Sequence, residues 1–408
     1  MKKYINSSLI LLVVLLSLTV FYVSQATSSS NLPDFHLKQT HGDSKLLDTL
    51  ALEAAYMDTD YAEYFTTTKD GTHYRSETSF FEQVDYWQKT SKTIEMKSLR
   101  KQFPSFMRGK STDTQLYHDT KQVIYVDITY DYSNNHGYYN FGLKINHLNK
   151  KTKDTQTFEV KIPNQENSGY IDVLDVQIIK DELRVVVLSD DEAQKINEYT
   201  ISISKERLID DTSIFTATNQ SDKERYYFSR LMENEPTQTN AHFLFQIDQH
   251  TLINGGENSQ TINIDFYSYT YKTGKLDKLK LPEDMIKQLL DAGSYTIAYD
   301  SKSLYLSIFN NDENRTTSIK MIKYNLQNQK ITKNHTIKID SDVIEGSHNI
   351  HLYQNNLFLI YTGEESKPEI KIFDFDSGKP VLEASLEVKD HKQKVDYKDI
   401  SIHEVNGM

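Results

Sequence analysis

Five short apolar runs recur along this chain at a nearly constant interval: VIYVDITY from Val123, LRVVVLS from Leu183, FLFQI from Phe243, LYLSIF from Leu304 and LFLIY from Leu357. Their starts lie 60, 60, 61 and 53 residues apart. An interval of this size marks one supersecondary unit copied along a chain, so the copies are expected to fold alike. Branched and aromatic side chains dominate the runs, and these fit a pleated, half-buried strand.

The interior of each copy repeats too. INIDFYSYTY from Ile262 precedes Lys272-Thr273-Gly274-Lys275, SIKMIKYNL from Ser318 precedes Asn328-Gln329, and EIKIFDF from Glu369 precedes Asp376-Ser377-Gly378-Lys379. Period-two alternation describes a strand with one buried face, and glycine or asparagine at a hairpin tip supplies positive φ. Strands such as YIDVLDVQII from Tyr170, SYTIAYD from Ser294 and NIHLYQ from Asn349 open their units, which gives roughly four strands each. A four-stranded antiparallel unit repeated without long intervening helices resembles a β-propeller blade, although the Trp-Asp signature of the commonest propellers is missing. The resemblance is one of architecture and points to no named family.

The expected fold is therefore all-β: a β-propeller of six or seven four-stranded blades over residues 31–408, behind an N-terminal apolar helix. Two β-sandwich or β-barrel domains, split near Thr216 to Asn240, form the alternative. Stepping back one interval from Val123 places a further unit near Tyr61. The tail from Asp399 is expected to pair with the stretch from Leu46, as a seventh blade or as a closure between the chain ends. Two segments break the strand pattern: Ser79–Lys101 has helical spacing, and Pro282–Ala292 begins with proline and two acids ahead of an apolar stripe.

Residues 1–30 read as a leader. Lys2 and Lys3 precede an uncharged stretch from Tyr4 to Pro33, whose centre from Leu9 to Val23 is strongly apolar. This predicts export, either as a single-pass anchor in the cytoplasmic membrane with an extracytoplasmic domain, or as a secreted product cleaved after Ala26. The chain has no cysteine, which excludes a lipoprotein anchor, disulfides and thiolate metal sites. A net charge of −12 makes nucleic acid an unsuitable partner. Against that balance, Lys89, Lys92, Lys97, Arg100, Lys101, Arg108 and Lys110 are opposed only by Glu95, and together they form a candidate patch for anionic envelope polymers or lipid headgroups.

Most catalytic motifs fail on inspection. Gly109-Lys110-Ser111 lacks the upstream glycine of a phosphate loop, because Pro104 stands there. Ser98 to Lys101 and Ser202 to Lys205 match Ser-x-x-Lys, but the second falls in a strand-like segment and no intermediate motif joins them to Lys272-Thr273-Gly274. Thirteen histidines contain no zinc-binding helix motif, and His348 and His351 alternate across a strand. Asp58 with Asp60, Asp340 with Asp342, and Asp374 with Asp376 offer paired carboxylates at turns, which makes them the candidate calcium ligands. The reading that results is an extracytoplasmic binding or regulatory module for a protein or cell-envelope ligand. A hydrolase or lyase acting on carbohydrate or wall polymer, with acidic residues gathered at a channel mouth, is the alternative.

Overall fold

The computed structural model describes residues 10, 12–20, 32–48, 50–58, 61–78, 94–134, 137–163, 169–190, 193–218, 224–233, 237–253, 258–292, 294–311, 317–339, 348–353, 355–362, 367–390 and 395–407. Residues 12–20 are helical, and among the described residues no helix is long and apolar enough to cross a membrane. The rest of the leader, including Ala26, lies outside the described residues.

Among the described residues the strands form six sheets. After β1 (Phe35–Gly42), the first sheet contains β2 (Leu50–Asp58), β3 (Tyr61–Thr67) and β4 (Thr72–Tyr74). The second is β5 (Leu116–His118), β6 (Gln122–Ser133), β7 (Gly137–Asn149) and β8 (Thr155–Lys161). The third is β9 (Tyr170–Ile179), β10 (Glu182–Asp190), β11 (Ala193–Ser202) and β12 (Arg207–Thr218). In the fourth, β13 (Glu224–Arg230) is separated by the short β14 (Met232–Glu233) from β15 (His242–Ile253), β16 (Asn258–Thr270) and β17 (Lys275–Lys278). The fifth is β18 (Ser294–Tyr299), β19 (Ser303–Asn311), β20 (Thr317–Asn325) and β21 (Lys330–Ile339), with β14 added in parallel to β18. The sixth is β22 (His348–Tyr353), β23 (Asn356–Tyr361), β24 (Glu369–Asp374) and β25 (Pro380–Val388), and β26 (Ile400–Gly407) ends the chain's strands. These are antiparallel meanders of the blade kind, and the protein is an all-β propeller with six blades among the described residues.

All five sequence runs fall on the same element, the second strand of a blade: β6, β10, β15, β19 and β23. The turn from third to fourth strand also repeats. Lys153, Glu206, Gly274, Gln329 and Gly378 occupy it at φ between 50° and 66°, each four residues after Asn149, Ser202, Thr270, Asn325 and Asp374 respectively. Asn149, Ser202, Asn325 and Asp374 fix the turn by accepting backbone N–H bonds at 2.8–3.2 Å. Ser202 therefore ends β11 and the residues after it, to Lys205, are this turn and not a continuing strand, with the Ser202 hydroxyl accepting the Lys205 N–H at 3.2 Å.

The chain divides into two compact units, residues 1–90, 314–317 and 339–408 in one and residues 91–313 and 318–338 in the other. In the first unit β1 pairs with β25, and β26 pairs with β2 from Ile400↔Tyr56 to Gly407↔Leu50. Each chain end thus completes a sheet begun elsewhere. The expected pairing of the tail is present, but it completes the first blade and makes no seventh; the stretch at Tyr61 is the third strand of that same blade. Phe35 stacks on Phe65 with centroids 5.1 Å apart, within a core that includes Leu37, Leu52, Ile370, Leu382 and Leu386.

In the second unit, blades 2 and 3 share a core around Val126, Ile145, Val173 and Val187. Blades 3 and 4 meet over Val186, Phe243, Phe245 and Tyr269, and blades 4 and 5 over Leu244, Phe266, Leu306 and Ile322. The helix Glu283–Asp291 buries Met285 and Leu289 in the last of these, and Pro282 stands at its N-cap. Of the other helical reading, residues 79–93 with Trp87 are outside the described residues, and the helix Ile94–Gln102 is present. Its Met96 and Leu99, with Met107 of the helical turn Pro104–Met107, cover Leu116, Val123 and Tyr125 of blade 2.

Candidate functional site

The most unusual chemistry in the chain lies on one face of blade 3. In β9, Asp175 pairs with Val186 and Val173 with Val187, which leaves Leu174 as a bulge. The bulge lets consecutive residues serve both faces: Val173 and Val176 join the core toward blade 2, and Leu174 joins the core toward blade 4. Val186 in turn pairs with Glu198, so Asp175 and Glu198 share the face that meets blade 4.

Both carboxylates are sealed, Asp175 at 0 % and Glu198 at 1 % exposure. Asp175 Oδ1 accepts the Val176 N–H at 2.8 Å, Gln177 Nε2 donates to both oxygens at 3.2 and 3.3 Å, and the Tyr271 hydroxyl donates to Oδ2. Gln177 is held by the carbonyl of Gln238 and the N–H of Asn240. Glu198 accepts from Arg184 Nη1 at 2.6 Å and bonds the Tyr269 phenol, and Arg184 also donates to Glu182 at 2.9 Å. Burial pushes both carboxyls above the ordinary carboxylate range, against the opposing pull of Arg230 on Asp175 and of Arg184 on Glu198. Tyr269 and Tyr271 meet edge to face at 5.7 Å, so the two carboxylate–phenol pairs form one buried assembly.

Disturbed titration singles out functional groups, but structural networks produce it as well. By register the two acids lie two strand spacings apart, about 10 Å, at the edge of the range that glycoside hydrolysis uses. Neither acid is open to solvent; Asp175 is held by phenol, amide and backbone donors and Glu198 by the Arg184 guanidinium on Oε1, its Oε2 being left without a partner among the described residues, and the assembly locks two blades together.

A second titratable group closes the first hairpin of blade 2. Asp119 accepts the N–H groups of Lys121 and Gln122 at 2.7 and 2.9 Å, and the Tyr117 hydroxyl bonds Asp119 and Thr239. Lys150 Nζ reaches the Asp119 carbonyl at 2.5 Å and His118 Nδ1 at 3.4 Å. Burial lowers both His118 and Lys150, and Lys150 lowers His118 further. Asp300 repeats the arrangement in blade 5, accepting from Lys302, Ser303 and the Tyr305 hydroxyl at 2.7–2.8 Å. Recurrence at equivalent hairpins identifies a turn device of the repeat.

Asp60, Asp340, Asp342 and the side chain of Asp58 lie outside the described residues. Asp374 and Asp376 stand at the β24–β25 turn, where Asn355 Nδ2 donates to both at 2.8 and 3.0 Å. Burial would raise the Asp374 carboxyl, but bonds from the Ser377 hydroxyl and N–H and from Asn355 outweigh it and hold the group below the usual range. Among the described residues no group of three or more metal-binding side chains gathers.

Of the basic cluster, Lys89 and Lys92 are outside the described residues, and Lys97, Lys101 and Arg108 are exposed. Arg100 and Lys110 turn inward. Arg100 Nη2 donates to the Lys110 carbonyl and Lys110 Nζ to the Phe106 carbonyl, both at 2.6 Å, with Nζ 4.5 Å from the Phe106 ring centre. These two charges brace the 94–111 segment internally, and Lys110 Nζ also stands 5.6 Å from the ring centre of Tyr125 in blade 2.

What sequence reading missed is a surface. At the far end of the β6–β7 hairpin, Tyr130, Tyr132 and Tyr138 are 53, 60 and 45 % exposed. Tyr132 and Tyr138 are cross-strand partners, their rings 5.2 Å apart, and Tyr130 meets Tyr138 edge to face at 4.8 Å. Tyr130 also packs on Phe141, a member of the core shared by blades 2 and 3. A bulge at Asn140, φ 53°, shifts the register, and its Nδ2 donates to Asp131 Oδ2 at 2.9 Å on the opposite side of the hairpin. The phenols are therefore an uncovered continuation of a blade face, held from below by the core.

No family model matches the chain, and no curated protein sequence is significantly similar to it. Among solved structures it is similar to a polysaccharide lyase of the PL25 ulvan lyase family, at 11 % identity over 67 % of this chain and 72 % of that one, TM-score 0.35. It is similar to the periplasmic gluconolactonase PpgL of Pseudomonas aeruginosa at 10 % identity over 82 % of each chain, TM-score 0.32. It is also similar to the β-propeller domain of the Trilobed protease of Pyrococcus furiosus, at 11 % identity over 85 % of this chain and 84 % of that one, TM-score 0.33. Scores and identities this low carry no inference about activity.

Proposed function

We propose that this β-propeller protein is an exported or membrane-anchored extracytoplasmic binding module that holds a ligand of the cell envelope. The address rests on the charge-free leader behind Lys2 and Lys3 and on the absence of cysteine. The observation that carries the binding role is the exposed trio Tyr130, Tyr132 and Tyr138. Rigid phenols are large, amphipathic and inexpensive to order, which suits them to recognition. Binding is favoured over glycoside hydrolysis because Asp175 and Glu198, neighbouring acids on one blade face whose carboxyls burial raises, are closed to solvent.

The test is co-sedimentation of the full chain with a purified cell-envelope fraction from its own host. Retention should fall by roughly tenfold or more in Tyr132→Ala/Tyr138→Ala, the size of effect seen when tyrosine anchors are truncated. Equal retention of the two proteins would remove the binding surface.

A further inference from the structure

We infer that the ligand of the Tyr130–Tyr132–Tyr138 surface is an uncharged polysaccharide, whose sugar rings stack on the phenol faces and whose hydroxyls bond the phenol oxygens. The inference rests on the binding reading and specifies its ligand class. Charge is the first argument. Over 129–133 and 137–142, the described end of the hairpin, the only charged residue is Asp131, and its carboxylate is engaged by Asn140. Lys161 and Glu159 of β8 stand beside Gly142 and Thr129, but strand alternation puts them on the face opposite the rings, so among these residues no lysine or arginine shares the tyrosine face to neutralise a phosphate, sulfate or uronate, and the chain's net charge of −12 repels such polymers.

Size is the second. At ~200 Å² per aromatic side chain, three tyrosines exposed to this degree present on the order of 300 Å², well short of the ~800 Å² per partner in a standard protein interface. A sugar unit or two fits that footprint. The third argument is chemical: a purely apolar partner is better served by aliphatic or phenylalanine side chains, whereas every ring here carries a hydroxyl. A sugar presents C–H groups on its ring faces and hydroxyls at its edges, which matches a phenol's apolar face and polar tip. Preorganisation is the fourth, because the edge-to-face contact at 4.8 Å, the tilted contact at 5.2 Å and the anchor on Phe141 fix the rings before any ligand arrives.

The experiment is affinity electrophoresis of the full chain, kept in a non-glycosidic detergent, through native gels containing hydroxyethyl cellulose, laminarin, yeast mannan or, as the acidic comparison, alginate. Retardation is expected on at least one neutral gel and not on alginate, and it should weaken by roughly tenfold or more in Tyr132→Ala/Tyr138→Ala and less in Tyr132→Phe. Thermal melts establish that the variants are folded, and saturation-transfer NMR on the wild type with laminari-oligosaccharides reads sugar C–H contact without any variant. Absence of retardation on every neutral gel, stronger retardation on alginate, or equal retardation of wild type and double variant would each overturn the inference. So would a dimer on size exclusion that the double variant dissolves, since the surface would then be a self-interface. If envelope retention needs the tyrosines while all neutral glycans fail, only the ligand class falls; if envelope retention ignores the tyrosines, the binding reading falls with it.

Discussion

The Tyr271 phenol donates its hydrogen bond to Asp175 Oδ2 across the interface of blades 3 and 4, where neither side chain reaches water. Removing that donor leaves a buried acceptor short of a partner. Tyr271→Phe is expected to cost about 1–3 kcal/mol in urea unfolding. Tyr227→Phe, at an exposed position of β13, is the control and should cost a few tenths at most. Equal losses in the two variants would mean that the bond contributes nothing.

The same interface gives a pH signature. Burial raises Asp175 and Glu198 above their unfolded values, so the folded chain keeps protons that the unfolded chain gives up. Their stabilisation is whole below the ordinary carboxylate range and is lost as pH rises through the raised folded values. Asp175→Asn has no such loss. Its melting midpoint should gain on the wild type as the pH rises above the ordinary carboxylate range. Asp374, held low, has the opposite sign: Asp374→Asn should lag the wild type at neutral pH and draw level as the pH falls through the folded value. Parallel midpoint curves for all three proteins would refute both assignments.

Local periodicity made the fold legible and long-range pairing hid the site. Val123, Leu183, Phe243, Leu304 and Leu357 all open buried second strands, because that strand carries the longest apolar run in a blade. At Tyr61 the interval reaches a further blade but lands on its third strand, because the helices Ile94–Gln102 and Pro104–Met107 between β4 and β5 lengthen the first repeat. Asp175 finds Tyr271 at a separation of 96 residues, and the Leu174 bulge that aims it leaves no mark in an alternating pattern. An acid inside the apolar run DVLDVQII was the available signal. Counting charges along the chain likewise says nothing of direction: Arg100 and Lys110 turn to backbone carbonyls, whereas Lys97, Lys101 and Arg108 are exposed.

The repeated turn offers a matched set of substitutions. Gly274 and Gly378 stand at φ 65° and 66°, a region where a Cβ is strained, so Gly378→Ala should cost about 1 kcal/mol. Gln329 occupies the equivalent place at φ 53° with a full side chain, and Gln329→Gly should gain about 0.5 kcal/mol after the added freedom of the unfolded chain is subtracted. Thermal unfolding of the two variants tests the turn as a common device, and a change of the same sign in both would contradict it.

The pairing of β26 with β2 makes the most severe prediction. β2 lies between β26 and β3, and among the described residues β26 is its partner on that side. Ending the chain after Asp399 strips seven residue pairs, Tyr56↔Ile400 to Leu50↔Gly407, and uncovers a strand whose Leu52, Ala54 and Ala55 are buried. An open edge of that composition is a template for pairing with another chain. The truncated protein should therefore unfold earlier and, at equal concentration, form larger species on size exclusion with static light scattering. Ile402→Lys, which keeps the backbone ladder and places a charge against the first unit's core, separates the two causes. It should lower the melting midpoint while the protein stays monomeric, because the edge is still paired. Truncated protein that remains monomeric with an unchanged midpoint would show that the last strand contributes little to closing the first blade.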